Sequence, residues 1–150
     1  MAAATTIVSS LEGRTTPVRG RFVLSGPSFQ LVSDGSVASG APGQAVGSLD
    51  LLVASLVSCG LNVLRGGGDA ENELIPGREV EIYARVEREE DSATLGELVL
   101  EIFIEGATES EAHGYVADYR ENCLIYAAVS HVIPIRFVVH GETAIEVEAE

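Results

Sequence analysis

The apolar positions of this sequence are densest in one central segment, Ser48–Leu64. The segment is too long for a typical strand, and its apolar residues spread nearly all round a helix. The pattern therefore predicts a central buried helix. At about 100° per residue a single polar stripe remains, and it carries Ser48, Ser55, Cys59 and Asn62.

Segments on both sides of this helix follow a period of two. Residues 79–87 and 97–105 alternate apolar and charged side chains, which is typical of two half-buried strands in a hairpin. This alternation explains their glutamates as a solvated sheet face rather than as acid/base pairs. Three strands are predicted before the helix, with a turn at Gly26–Pro27 between the last two: residues 4–11, 19–25 and 28–33.

A second helical region follows the hairpin. Thr108, with Glu111 three residues later, forms a capping box that predicts a helix running to about Arg120. Asn122 is then predicted to be the N-cap of another helix, with Cys123 in its first turn. Because a helix N-terminus favours a thiolate, Cys123 is a candidate for a lowered thiol pKa. The alternative is an ordinary core cysteine in an apolar helix.

The order of these elements predicts an α+β fold in one domain, residues 1–150. Two closing strands are expected at residues 132–139 and 143–148. Residues 34–47 form a loop rich in Gly, Ser, Ala and Pro, but it lacks the spacing of a phosphate-binding loop. A hydrophobic content of 46% is enough for a full core in a chain of 150 residues.

Charge narrows the possible partners. The net charge is −14, from 23 acidic residues against nine arginines and no lysine. Such a chain repels nucleic acids and anionic membranes. No signal peptide or membrane-spanning run is evident, so the expected compartment is the cytosol. The three histidines have no metal-ligand spacing with each other or with the cysteines, and no metal is expected.

The two cysteines are the candidate chemistry. Cys59 alone is most simply a small buried hydrophobe, and so is Cys123 alone. In the cytosol, a pair of cysteines is more often redox-active or inert than a permanent structural bridge.

The arrangement as a whole resembles the OsmC/Ohr family. The stretch from Leu51 to Cys59, LLVASLVSC, is similar to the family's helix motif that ends at the first cysteine. Asn122-Cys123-Leu124 is similar to the start of the family's helix that carries the second cysteine. The 64 positions between Cys59 and Cys123 and the order of elements also match. The resemblance covers nearly the whole chain.

The resemblance implies an OsmC-like fold, an intertwined homodimer and a thiol-dependent peroxidase that reduces organic hydroperoxides without metal, haem or other cofactor. Cys59 would be the peroxidatic cysteine and Cys123 the resolving cysteine. A dithiol reductant of unknown identity would restore the thiols.

Three positions depart from the family pattern. Asp50 stands near the place of a glutamate that pairs with a catalytic arginine, and Leu124 replaces a proline. Arg19 fits the arginine position best, and Arg14 fits it in another register. We expect Arg19 to point inward at Cys59, with Asp50 orienting its guanidinium.

Two other functions stay open at this level. The chain is alternatively a catalytically weak or inactive OsmC-like protein that binds a small apolar ligand at the dimer interface. The third possibility is an acidic structural dimer with two inert core cysteines.

Overall fold

The computed structural model describes residues 6–65 and 78–147. It contains seven strands and three helices in these ranges, which confirms the predicted α+β fold. In chain order the elements are β1 Glu12–Thr15, β2 Arg21–Ser25, β3 Gln30–Asp34, α1 Ser48–Leu64, β4 Val80–Val86, β5 Leu98–Ile104, α2 Glu109–Asn122, α3 Leu124–Val129, β6 Ile135–His140 and β7 Ala144–Val147.

The chain divides into two compact units, Met1–Leu52 and Val53–Glu150. In the first unit, β1, β2 and β3 form an antiparallel sheet in chain order. The predicted strand at residues 4–11 is wrong over residues 6–11, and the first strand begins at Glu12 instead. The register explains the difference, because Glu12 already pairs with Ser25, the last residue of β2. Residues 6–11 therefore have no partner on β2.

A buried ion pair anchors the loop that follows β3. The Asp34 carboxylate accepts hydrogen bonds from Arg21 Nε at 2.8 Å and from the backbone N–H groups of Gln44 and Ala45 at 2.8 and 3.1 Å. These donors hold the pKa of Asp34 well below its usual range, with the Arg21 bond as the largest cause. The loop is thus tied to the sheet at both of its ends.

The second unit is built on a four-stranded sheet in the order β4-β5-β6-β7. The predicted hairpin of β4 and β5 is confirmed, with Val80 opposite Ile104. One face of β5 is fully apolar and buried, as alternation requires: Leu98, Leu100, Ile102 and Ile104. Strands β5 and β6 are parallel. A parallel pair needs a long crossover, and α2 and α3 supply it.

Helix α1 spans the predicted residues, and in this chain its burial follows one stripe. Leu56, Gly60 and Leu64 are buried at a spacing of four, while Ala54, Ser58 and Asn62 are exposed. The prediction of a helix was therefore correct, but a smaller part of the helix surface is buried than predicted.

Capping interactions explain where α2 begins and ends. The predicted capping box is present, since Glu111 N donates to Thr108 Oγ1 at 3.3 Å and Thr108 N donates to Glu111 Oε2 at 2.9 Å. The helix continues two residues past Arg120, to Asn122. Cys123, rather than Asn122, is the N-cap of α3.

The closing strands begin later than predicted, at Ile135 and Ala144. Strand β6 ends at His140, one residue after its predicted end, and the predicted end of the last strand at residue 148 lies outside the described residues. In the described ranges no helix is long and apolar enough to cross a membrane.

Candidate active site

Cys59 lies in the third turn of α1, just before the buried Gly60. It is half-buried, unlike the neighbouring Leu56 and Gly60, which are buried. The predicted polar stripe places Ser55 one turn before it and the exposed Asn62 nearly one turn after it. Cys59 thus lies at the edge of the buried stripe of α1.

Cys123 lies where α2 passes into α3 and is 1% exposed. Its backbone N–H donates to Tyr119 O at 3.0 Å, which closes α2. Its Sγ accepts a hydrogen bond from Tyr126 N at 3.3 Å, which caps α3. Both the backbone and the side chain of Cys123 are therefore fixed by helix termini.

The structure brings the two cysteines together. Neither is in a disulfide, and the Cys59 thiol lies within hydrogen-bonding reach of the Cys123 thiol. Burial and the Cys59 thiol raise the pKa of Cys123 to about 11, and the N–H groups at the start of α3 offset only part of this rise. The expectation of a lowered pKa for Cys123 is therefore wrong, because burial outweighs the helix N-terminus.

Tyr119 is a third member of the cluster, and sequence reasoning missed it. Its side chain is fully buried, and its hydroxyl donates to Leu56 O at 2.6 Å. Burial, followed by the proximity of Cys123 and Cys59, raises the pKa of Tyr119 far above its usual value. The phenol is therefore a permanent hydrogen-bond donor. Its partner is 63 positions away, so no local sequence signal marks the contact.

Two aromatic rings pack against Tyr119, and a guanidinium lies over one of them. Phe137 of β6 meets the Tyr119 ring edge-on, with centroids 5.1 Å apart, and Tyr126 of α3 does so at 6.1 Å. The Arg120 guanidinium lies 5.3 Å from the centroid of Phe137. The thiol pair thus lies beside a largely apolar, aromatic wall.

The other predicted site residues lie in the first unit. Arg19 is in the turn before β2 rather than in the strand, and Gly20 after it has a φ of 73°. Asp50 lies in the first turn of α1, where it accepts a hydrogen bond from Gly47 N at 2.8 Å. In this part of the described chain, Arg19 and Asp50 do not form the predicted ion pair.

The remaining N-terminal arginines have carboxylate partners. Arg14 Nε contacts Glu12 at 2.8 Å, and its side chain is 74% exposed. Arg21 holds Asp34. Among the described residues Arg19 has no such partner, so it is the member of this group that is available to another anion.

Comparison with known proteins identifies the fold. No family model and no curated protein matches the sequence. An OsmC-like protein from Mycoplasma pneumoniae is similar in structure, with a TM-score of 0.72 and 15% identity over 91% of this chain and 99% of that one.

Two hydroperoxide resistance proteins are also similar in structure. One, OsmC from Legionella pneumophila, has a TM-score of 0.66 and 15% identity over 91% of this chain and 99% of its own. The other, OhrB of Bacillus subtilis, has a TM-score of 0.64 and 14% identity over 89% and 98%. The chain therefore has an OsmC-like fold.

Proposed function

We propose that this protein is a thiol-dependent peroxidase that reduces organic hydroperoxides, with Cys59 as the peroxidatic and Cys123 as the resolving cysteine. One observation carries the proposal: two free cysteines, 64 positions apart in sequence, have side chains that interact with each other. Fold neighbours that are named for resistance to organic hydroperoxides add support.

The difference in accessibility between the two cysteines supports these two roles. Cys59 is half-buried, whereas Cys123 is 1% exposed and has a pKa raised to about 11. A peroxide reaches the first thiol more readily than the second, and a protonated thiol is a poor nucleophile. Cys123 is suited instead to the second step, in which it reacts with the oxidised Cys59 of the same chain.

The reaction then proceeds in two balanced steps. The Cys59 thiolate attacks one peroxide oxygen, so that an S–O bond forms, the O–O bond breaks and the alcohol leaves after taking a proton. The Cys123 sulfur next attacks the Cys59 sulfenic acid. A disulfide forms, and the hydroxyl leaves as water with the Cys123 proton. An external dithiol of unknown identity reduces the disulfide and completes the cycle.

We further propose Arg19 as the cation that favours the Cys59 thiolate. Arg19 is the N-terminal arginine without a carboxylate partner among the described residues. A nearby cation lowers the pKa of a thiol and increases its thiolate fraction. Arg14 is the alternative, although its exposed pairing with Glu12 makes it the weaker candidate.

The proposed assembly is a homodimer. Many large apolar side chains in the first unit are more than a third exposed in the single chain. They are Ile7, Val8, Leu11, Val18, Phe22, Phe29, Val32, Val37, Val46 and Leu49. Apolar surface of this extent is typical of a protein–protein interface.

One observation favours a second function, a weak or inactive protein that binds a small apolar ligand at the dimer interface. Asp50 caps α1 through Gly47 instead of pairing with Arg19. Without an oriented guanidinium, the Cys59 thiolate would be less stabilised and turnover would be slow.

Consumption of cumene hydroperoxide with dithiothreitol as reductant separates the two functions. The peroxidase proposal predicts catalytic turnover that is lost in Cys59→Ser. Cys123→Ser should keep the first reduction step and lose disulfide formation. Absence of turnover in folded wild-type protein would favour the binding function.

A further inference from the structure

Tyr119 is hydrogen-bonded to the segments of both cysteines. Its hydroxyl donates to Leu56 O of α1 at 2.6 Å, three residues before Cys59. Its carbonyl accepts from Cys123 N at 3.0 Å. A single residue of α2 therefore links the helix that carries Cys59 to the junction that carries Cys123.

Gly60 allows this link. A β-carbon at position 60 would lie 2.0 Å from Cε2 of the Tyr119 ring and 2.6 Å from its hydroxyl oxygen. Real β-carbons do not approach other atoms so closely, so the ring occupies the space of the missing side chain. The Tyr119 ring thus packs against α1 at the residue directly after Cys59.

Two aromatic side chains also pack against the Tyr119 ring. Phe137 packs against it at an interplanar angle of 70°, and Tyr126, whose N–H donates to Cys123 Sγ, packs at 85°. The Tyr119 side chain is fully buried. The ring therefore has little freedom to move, and neither do the two backbone segments bonded to it.

We propose that Tyr119 is a positioning residue that fixes the separation of the Cys59 and Cys123 sulfur atoms, so that the disulfide closes readily. The proposal rests on the proposed function, because that disulfide is its oxidised product. A disulfide tolerates only a narrow range of Cα and Cβ separations. A residue that fixes the distance between the two segments therefore controls how favourable the bond is.

The test is the equilibrium of the full-length protein with glutathione. Oxidised glutathione takes two electrons from the thiol pair, which yields the Cys59–Cys123 disulfide and two molecules of reduced glutathione. Tyr119→Phe keeps the ring and removes the bond to Leu56 O. Gly60→Ala displaces the ring. Tyr115→Phe is the matched control, because it removes a hydroxyl from a buried tyrosine one turn earlier in α2.

We expect the equilibrium constant for disulfide formation to fall roughly fivefold or more in Tyr119→Phe, since one anchoring hydrogen bond is lost. It should fall further in Gly60→Ala and stay near the wild-type value in Tyr115→Phe. An unchanged constant in Tyr119→Phe, or an equal change in Tyr115→Phe, would overturn the proposal. Wild-type protein that forms only mixed disulfides with glutathione would also overturn it.

This measurement uses no peroxide. A wild-type protein without peroxidase turnover whose glutathione equilibrium depends on Tyr119 would refute the proposed function and support the positioning role.

Discussion

At the scale of single residues, the two thiols differ because burial competes with a helix N-terminus at Cys123. The N–H groups of Tyr126 and Ile125 lower the pKa of Cys123, whereas burial and the neighbouring Cys59 thiol raise it more. The result, a pKa of about 11, leaves Cys123 protonated at neutral pH. The chemical difference between the thiols thus follows from their surroundings.

Alkylation with iodoacetamide under native conditions should reveal this difference. At neutral pH we expect Cys59 to be modified first, because it is more accessible than the protonated Cys123. The rate at Cys123 should rise as the pH approaches about 11. In Cys59→Ser this rise should occur at lower pH, since one cause of the raised pKa is gone. Equal rates for both cysteines at neutral pH in the folded protein would contradict the assignment.

The arginine assignment predicts a second change in alkylation. Arg19→Ala should move the pH dependence of Cys59 alkylation to higher pH, because a cation that favours the thiolate is lost. Arg14→Ala is the matched control from the same part of the chain and should leave the curve in place. The reverse result would transfer the role to Arg14, and no shift in either variant would favour the binding function. Arg19→Lys would keep the charge but lose the planar fork of the guanidinium.

At the scale of elements, the contact between α1 and α2 depends on a glycine inside a helix. Glycine usually weakens a helix interior. Gly60 is retained at a position where the Tyr119 ring leaves no room for a side chain. Gly114 of α2 provides a contrast, because a β-carbon there would meet no atom within 4 Å.

This contrast predicts opposite effects of the same substitution. Gly60→Ala should lower the free energy of unfolding by about 1–3 kcal/mol, because the added methyl group overpacks the core. Gly114→Ala should raise it by about 0.5–1 kcal/mol through better helix propensity. Urea denaturation of both variants measures these changes. A neutral Gly60→Ala would show that Tyr119 does not pack closely on α1.

The elements that sequence predicted best are those with strong local signals. The bounds of α1 and of the hairpin, and the capping box at Thr108, follow from periodicity and spacing. The first strand was misplaced because pairing with β2, not hydrophobicity, decides where it begins. Tyr119 and the raised pKa of Cys123 were missed because both depend on contacts between residues distant in sequence.

At the scale of the whole molecule, an acidic chain carries exposed apolar side chains. The net charge of −14 promotes repulsion between copies, whereas burial of apolar surface promotes association. We expect the apolar contribution to dominate. Salt screens the repulsion and should leave the apolar contacts intact.

Light scattering should therefore report about twice the chain mass of 15.7 kDa, at low and at moderate salt. Val32→Asp on β3, a change at a residue that is 43% exposed, should weaken the dimer if this sheet lies in the interface. Ala93→Asp, at an exposed residue between β4 and β5, adds the same charge and is the control for charge alone. A wild-type protein that stays monomeric at high concentration would contradict the proposed assembly.

The central claim is that Cys59 and Cys123 act as one redox pair, and peptide mapping after mild peroxide treatment tests it most directly. One equivalent of cumene hydroperoxide should join Cys59 to Cys123 within one chain. In the entropic account, closing this loop should stabilise the protein by about 4 kcal/mol if the bond is unstrained. Folded protein in which both thiols remain free after this treatment would contradict the account.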